Sequence, residues 1–152
     1  MRTVPFFVVA AALLFAGAIL HVAALIGGPS WIAFVGAPRE VVESASRGTW
    51  LAPVGALGIT ALLLLLAAYA LSAATVFRSF PFSRSILTFF ATIFIVRGLI
   101  IVPALLQGRF NWRELHDLFV VGSSTAILAI GLALAIGLFG LHRYAPFRRT
   151  AR

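Results

Sequence analysis

Apolar residues fall into four long runs, 4–26, 51–77, 86–107 and 115–141, and polar residues collect in the gaps between them. Each run exceeds about 18 residues, the length at which a continuous apolar stretch predicts a helix that crosses a bilayer. The runs are too long and too unbroken for the alternating strands of a membrane barrel. The pattern predicts one all-α membrane domain over 1–152, a polytopic four-transmembrane-helix bundle.

The first run carries a second reading. Arg2 could serve as the basic start of a signal peptide, with Ala16-Gly17-Ala18 as a small-residue cleavage site. The apolar stretch continues well past that site, beyond the usual h-region of about 7–15 residues, so a retained first helix is expected.

The gaps have their own punctuation. Gly27, Gly28 and Pro29 end the first run, and the longest connection follows, bracketed by Trp31 and Trp50. Tryptophan favours the headgroup level, so both ends of this connection are expected at one membrane interface. Pro38 can open a short interfacial helix over 39–46. Val41, Val42 and Ala45 fall on one side of it, and Glu40, Glu43 and Arg47 on another. Arg78, Pro81 and Arg84 mark a turn too short for anything but a tight hairpin between the second and third helices. In the third run Pro103 frees a carbonyl near position 99 and predicts a bend there. Gly98 allows a close helix approach, as does the spacing of Ala129, Ala133 and Gly137 in the fourth run.

Composition narrows the class. The chain has 152 residues, of which 62% are hydrophobic and 11% charged, too few to clothe a water-soluble domain of this size. It has no cysteine, which excludes disulfides, thiolate metal sites and cysteine nucleophiles. The formal net charge is +8, and all twelve basic residues are arginine. They sit mostly in the gaps and at the chain ends instead of along one polar face, so no nucleic-acid partner is expected. With four spans, one side holds Arg2, Arg78, Arg84, Arg143, Arg148, Arg149 and Arg152 and no acid. The other side holds Arg39, Arg47, Arg109 and Arg113 together with all four acids, Glu40, Glu43, Glu114 and Asp117. The positive-inside bias then places both termini in the cytoplasm.

The remaining charge, Arg97, lies inside the third run. At about 1.5 Å rise per residue it falls about 15 Å from the outer end, near mid-membrane. Ser123 and Ser124 reach a similar depth, about 12–14 Å into the fourth span. His21 lies about 8 Å from the outer end of the first, and His116 and Asp117 lie near the outer surface. This predicts a polar cavity in the outer half. Arg97 forms its floor, His21, Ser123, Ser124, His116 and Asp117 line its walls, and Glu40 or Glu43 covers its mouth. A buried guanidinium would hold a carboxylate, a phosphate headgroup or a quinone oxygen. The competing reading is structural, with backbone carbonyls, neighbouring hydroxyls or another subunit satisfying Arg97.

No catalytic set is legible. His116 stands about 10 Å along the helix axis from Ser123, too far to activate it as a nucleophile. No metal motif is present, and no cofactor is expected. A haem between His21 and His116 is the one cofactor arrangement the histidines would allow, with His142 at the opposite end.

In size and span count the plan resembles the small four-helix inner-membrane proteins of bacteria, DoxX-like proteins among them. The arginine-rich, lysine-free composition resembles that of high-GC bacterial genomes. The expected partners are the lipid bilayer and a homo-oligomer or larger membrane complex. The expected function is to bind a lipid-like or anionic ligand, or to serve as a subunit of a membrane assembly, in a bacterial inner membrane. The alternatives are a small membrane enzyme or a haem- or quinone-linked redox subunit, and a protomer of an oligomeric transporter.

Overall fold

A computed structural model describes residues 3–74 and 80–144, with side chains described as far as residue 141. The end of the second apolar run at 75–77, Arg78, the His142 side chain and the arginine-rich tail lie outside the described residues. The described chain is all-α, with α1 Val4–Gly27, α2 Pro29–Phe34, α3 Arg39–Ser46, α4 Leu51–Ala73, α5 Ser83–Leu99, α6 Val102–Leu106 and α7 Leu115–Tyr144. Among the described residues four spans are long and apolar enough to cross a membrane: Val4–Gly27, Leu51–Ala73, Ser83–Leu106 and Leu115–Leu141.

Proline and glycine set many of the boundaries. Pro5 and Pro53 sit in the first turns of α1 and α4, where a missing N–H costs nothing. Pro103 separates α5 from α6 at Ile100 and Ile101, because it has no N–H to donate to the Leu99 carbonyl one turn back and its ring crowds that carbonyl. Gly28 and Gly36 take φ of +81° and +82°, which let the chain turn into α2 and then out of it towards α3.

The spans pack as a ring of antiparallel neighbours. Thr3 lies against Gly140 and the Phe7 ring against Gly137, so α1 and α7 run in opposite directions. Gly98 meets Leu128, and Gly131 meets Ile95 and Ala91, which gives the same relation between α5 and α7. Leu63 reaches Gly17 across the α1–α4 contact. The hairpin between α4 and α5 closes through Ser72, whose Oγ accepts the Phe80 N–H at 2.9 Å, and through the Tyr69 and Phe80 rings, 5.2 Å apart. The beginning of α1 and the end of α7 therefore share one end of the bundle.

Burial is uneven along the bundle axis. The common core is Phe7, Leu14, Leu66, Leu87, Ala91, Leu134 and their neighbours, all in the half nearer the chain ends. In the other half the buried residues on the spans are small or hydroxylated: Ala18, Ala24, Ala52, Thr60, Gly98 and Ser124. Large apolar side chains face outward on every span, among them Phe15, Leu65, Phe89 and Phe139. That inversion suits a hydrocarbon solvent, in which outward leucine and phenylalanine carry no penalty.

Candidate ligand-binding site

The half of the bundle away from the start of α1 holds a cavity of about 250 Å³, between the last turns of α1, the first turns of α4 and the α2–α3 segment laid across them. Small residues make the room. Ala52, Gly55 and Ala56 of α4 face Ala24 of α1, and Ile32, Val35 and Val41 close the cavity from the connection. Ala52, Gly55, Ala56 and Ile59 follow i, i+3, i+4, i+7 spacing, one helix face. That spacing is legible in the sequence but signals a contact face; only the fold shows that the connection roofs it.

His21 is the one polar side chain on the cavity wall. Its Nδ1 lies 2.8 Å from the Gly17 carbonyl oxygen. A carbonyl oxygen only accepts, so Nδ1 carries the hydrogen and the neutral ring keeps Nε2 as an acceptor. The bond to its own helix, one turn back, also fixes the ring's orientation.

The roof is tied down at one residue. Ser44 is buried on α3, and its Oγ accepts the Ala52 N–H at 3.0 Å and the Thr49 hydroxyl at 2.7 Å, while donating to the Thr49 carbonyl at 3.2 Å. Ala52 is in the first turn of α4, where backbone N–H groups have no partner within the helix. Ser44 thus caps α4 from a distance and joins the roof to the cavity's floor. On the opposite edge Phe34 of α2 packs on His116 and Phe119 of α7, with ring centroids 5.8 and 4.9 Å apart.

The other expected site residues do not join His21. Arg97 is exposed and forms no ion pair or hydrogen bond among the described residues. The reason is azimuth. Gly98 and Ala91 occupy the side of α5 that faces α7, and Arg97 stands about 100° round the helix from Gly98. Arg97 therefore does not line the cavity on which His21 lies.

The remaining groups are partnered elsewhere or set apart. Ser123 donates to the Val120 carbonyl at 3.1 Å within its own helix, and Ser124 is buried on α7. Asp117 accepts the Asn111 N–H at 2.8 Å, and Glu114 accepts the Asn111 side-chain amide at 3.0 Å, which fixes the turn into α7. Glu43 accepts from Arg39 at 2.9 Å and from Arg47 at 3.2 Å on the exposed side of α3, and Glu40 is exposed on the same helix. His116 is held against Phe34 and is not on the cavity wall, so the structure does not present His21 and His116 as a facing pair of haem ligands. No group of three or more His, Cys, Asp or Glu gathers at metal-binding distance among the described residues.

Comparison with protein-family models, with curated proteins and with solved structures yields no match.

Proposed function

We propose that this chain is a multi-pass membrane protein that binds a lipid-like molecule in the cavity beneath the α2–α3 segment. The observation that carries the reading is an apolar cavity with a single oriented imidazole on its wall. An apolar cavity of about 150 Å³ holds benzene. At about 250 Å³ this one has room for a larger ring or a length of acyl chain. One polar group in an apolar pocket orients a ligand that has one polar group of its own. The chemistry fits a hydroxyl-bearing ligand, such as a quinol-type ring or a lipid alcohol, whose O–H donates to Nε2 of His21. An anion gripped by Arg97 no longer belongs to the reading, because the guanidinium lies outside the cavity.

The membrane we propose is a bacterial inner membrane, with both chain ends in the cytoplasm. The supports are the arginine-only basic composition and the distribution of seven basic residues without acids on one side against four basic residues with four acids on the other. The cavity then opens near the outer leaflet. The cysteine-free sequence makes orientation easy to read. Ser46→Cys on exposed α3 reacts with an impermeant maleimide in intact cells, and Ser85→Cys near the start of α5 reacts only after permeabilisation. The reverse pattern overturns the orientation.

Native mass spectrometry of the detergent-purified protein tests the binding. The wild type retains an adduct of lipid or quinol mass, and His21→Leu loses it while keeping its helical signal and oligomer size. An adduct retained unchanged by His21→Leu overturns the role given to His21, and a wild type that takes up neither lipid nor quinol from mixed micelles overturns the reading.

A further inference from the structure

Arg97 poses a separate problem from the cavity, and solving it identifies a surface. The residue is exposed on α5 beside Ile93, Val96 and Ile100, and the last two are 57% and 61% exposed. On the reading of Ser83–Leu106 as a membrane span, this is a charge on a lipid-facing flank. Its Cα lies about 13–14 Å from Leu106 and about 21 Å from Ser83 along the helix axis. The shorter way to water runs towards Leu106. Helical side chains lean the other way, towards the N-terminal end of their helix, here Ser83 and the farther membrane face. Reaching up to the near headgroups therefore works against the side chain's own direction. Gly98 seated on Leu128 leaves α5 no room to roll Arg97 inward.

The chain cannot neutralise this charge itself. Its four acids all lie on α3 or around the start of α7, at the connection end of the bundle, and none is at the depth of Arg97. A second copy brings the same four acids at the same level, and a symmetric contact through this face sets two Arg97 side chains together. We infer that the α5 flank around Ile93, Val96, Arg97 and Ile100 docks a transmembrane helix of a different protein, one that carries an Asp or Glu at the depth of Arg97. Charge complementarity selects that occupant. A guanidinium and a carboxylate in hydrocarbon satisfy each other with paired charge-assisted hydrogen bonds, and neither is stable there alone. The apolar residues around Arg97 supply the packing surface, and lipid-side association without such polar pairing is weak.

Site-specific photo-crosslinking tests this. p-Benzoylphenylalanine is placed at Val96 or Ile100 of the full chain in cells of the source organism, with Phe139 on exposed α7 as the control position. The expected result is an adduct of one defined mass from α5 but not from Phe139, whose crosslinked peptide is a transmembrane segment containing Asp or Glu. Adding Arg97→Gln lowers its yield about fivefold or more, as does the Asn or Gln replacement of the partner's acid, and Arg97→Lys retains most of it. Adducts formed only with lipid, only with a second copy of this chain, or with a segment lacking a carboxylate overturn the inference. An undiminished yield in Arg97→Gln does the same. The identity of the wild-type adduct decides the matter even if Arg97→Gln accumulates poorly, and none of these outcomes depends on the cavity.

Discussion

Gly98 of α5 lies so close to Leu128 of α7 that a Cβ on the glycine would fall 2.6 Å from the leucine's Cβ and 2.8 Å from its Cα. No side-chain rotation relieves a clash with Cα. Gly98→Ala is therefore expected to force the α5–α7 pair apart and to lower stability by about 1–3 kcal/mol, the usual range for overpacking. Gly122→Ala, on the same α7, meets nothing within 4 Å. It should match the wild type or gain up to about 1 kcal/mol, because alanine is the better helix former. Thermal unfolding of the two variants in detergent, followed by circular dichroism, makes the comparison. Equal melting temperatures would show that the close contact carries no weight.

The same glycine explains what the sequence disclosed and what it withheld. The four spans were legible because hydrocarbon demands unbroken apolar length, and runs such as 51–77 and 115–141 supply it. The break in helix at Ile100 and Ile101 was legible because a proline's missing N–H acts locally. Counting residues gives Arg97 a depth along its span, but depth carries no information about azimuth. Only the neighbours show that azimuth: Gly98 and Ala91 face α7, so Arg97 turns away. The pairing of Ala91 with Gly98, seven residues apart, was the available signal. A cover over a cavity from the 39–46 helix was expected, but over Arg97; that it lies on the α1–α4 face, tied by the Ser44 contact with Ala52, is a tertiary fact the sequence does not carry.

The three tryptophans should report the membrane level. Trp31, Trp50 and Trp112 are all exposed at the connection end of the bundle, opposite Thr3 and Gly140. Indole prefers the headgroup boundary. In reconstituted vesicles, nitroxide lipids labelled near the headgroup should quench their fluorescence more than lipids labelled near the chain end. Stronger quenching from the chain end would place this end of the bundle in the bilayer interior and break the assignment of the spans.

Ser44 should act as a latch on the roof. Ser44→Ala removes both the acceptor for the Ala52 N–H and the partner of the Thr49 hydroxyl. The expected loss is about 1–2 kcal/mol of local stability, the range for a lost helix cap or buried hydrogen bond. It should appear as faster hydrogen exchange across α2, α3 and the first turn of α4, with α5 and α7 unchanged. Uniformly faster exchange over all spans would mean that Ser44 supports the whole bundle and not the roof alone.

Filling the cavity should separate binding from fold. Ala56 lines it from α4 and is incompletely buried, so Ala56→Phe projects a ring into the space a ligand would occupy. Void space that accepts the ring without displacing backbone keeps the stability change to about 1 kcal/mol. Gly58, two residues on, is exposed with nothing within 4 Å of a Cβ. Gly58→Phe therefore adds the same ring to the outward surface and serves as the matched control. Retention of a lipid or quinol should fall about tenfold or more in Ala56→Phe and hold in Gly58→Phe, a difference of about 1.4 kcal/mol in binding. Retention that survives in both variants would locate the ligand on the outer surface of the bundle, as an annular lipid. Loss in both would point to a general disturbance of α4. Only loss in Ala56→Phe alone gives the cavity, and the imidazole on its wall, a role in binding.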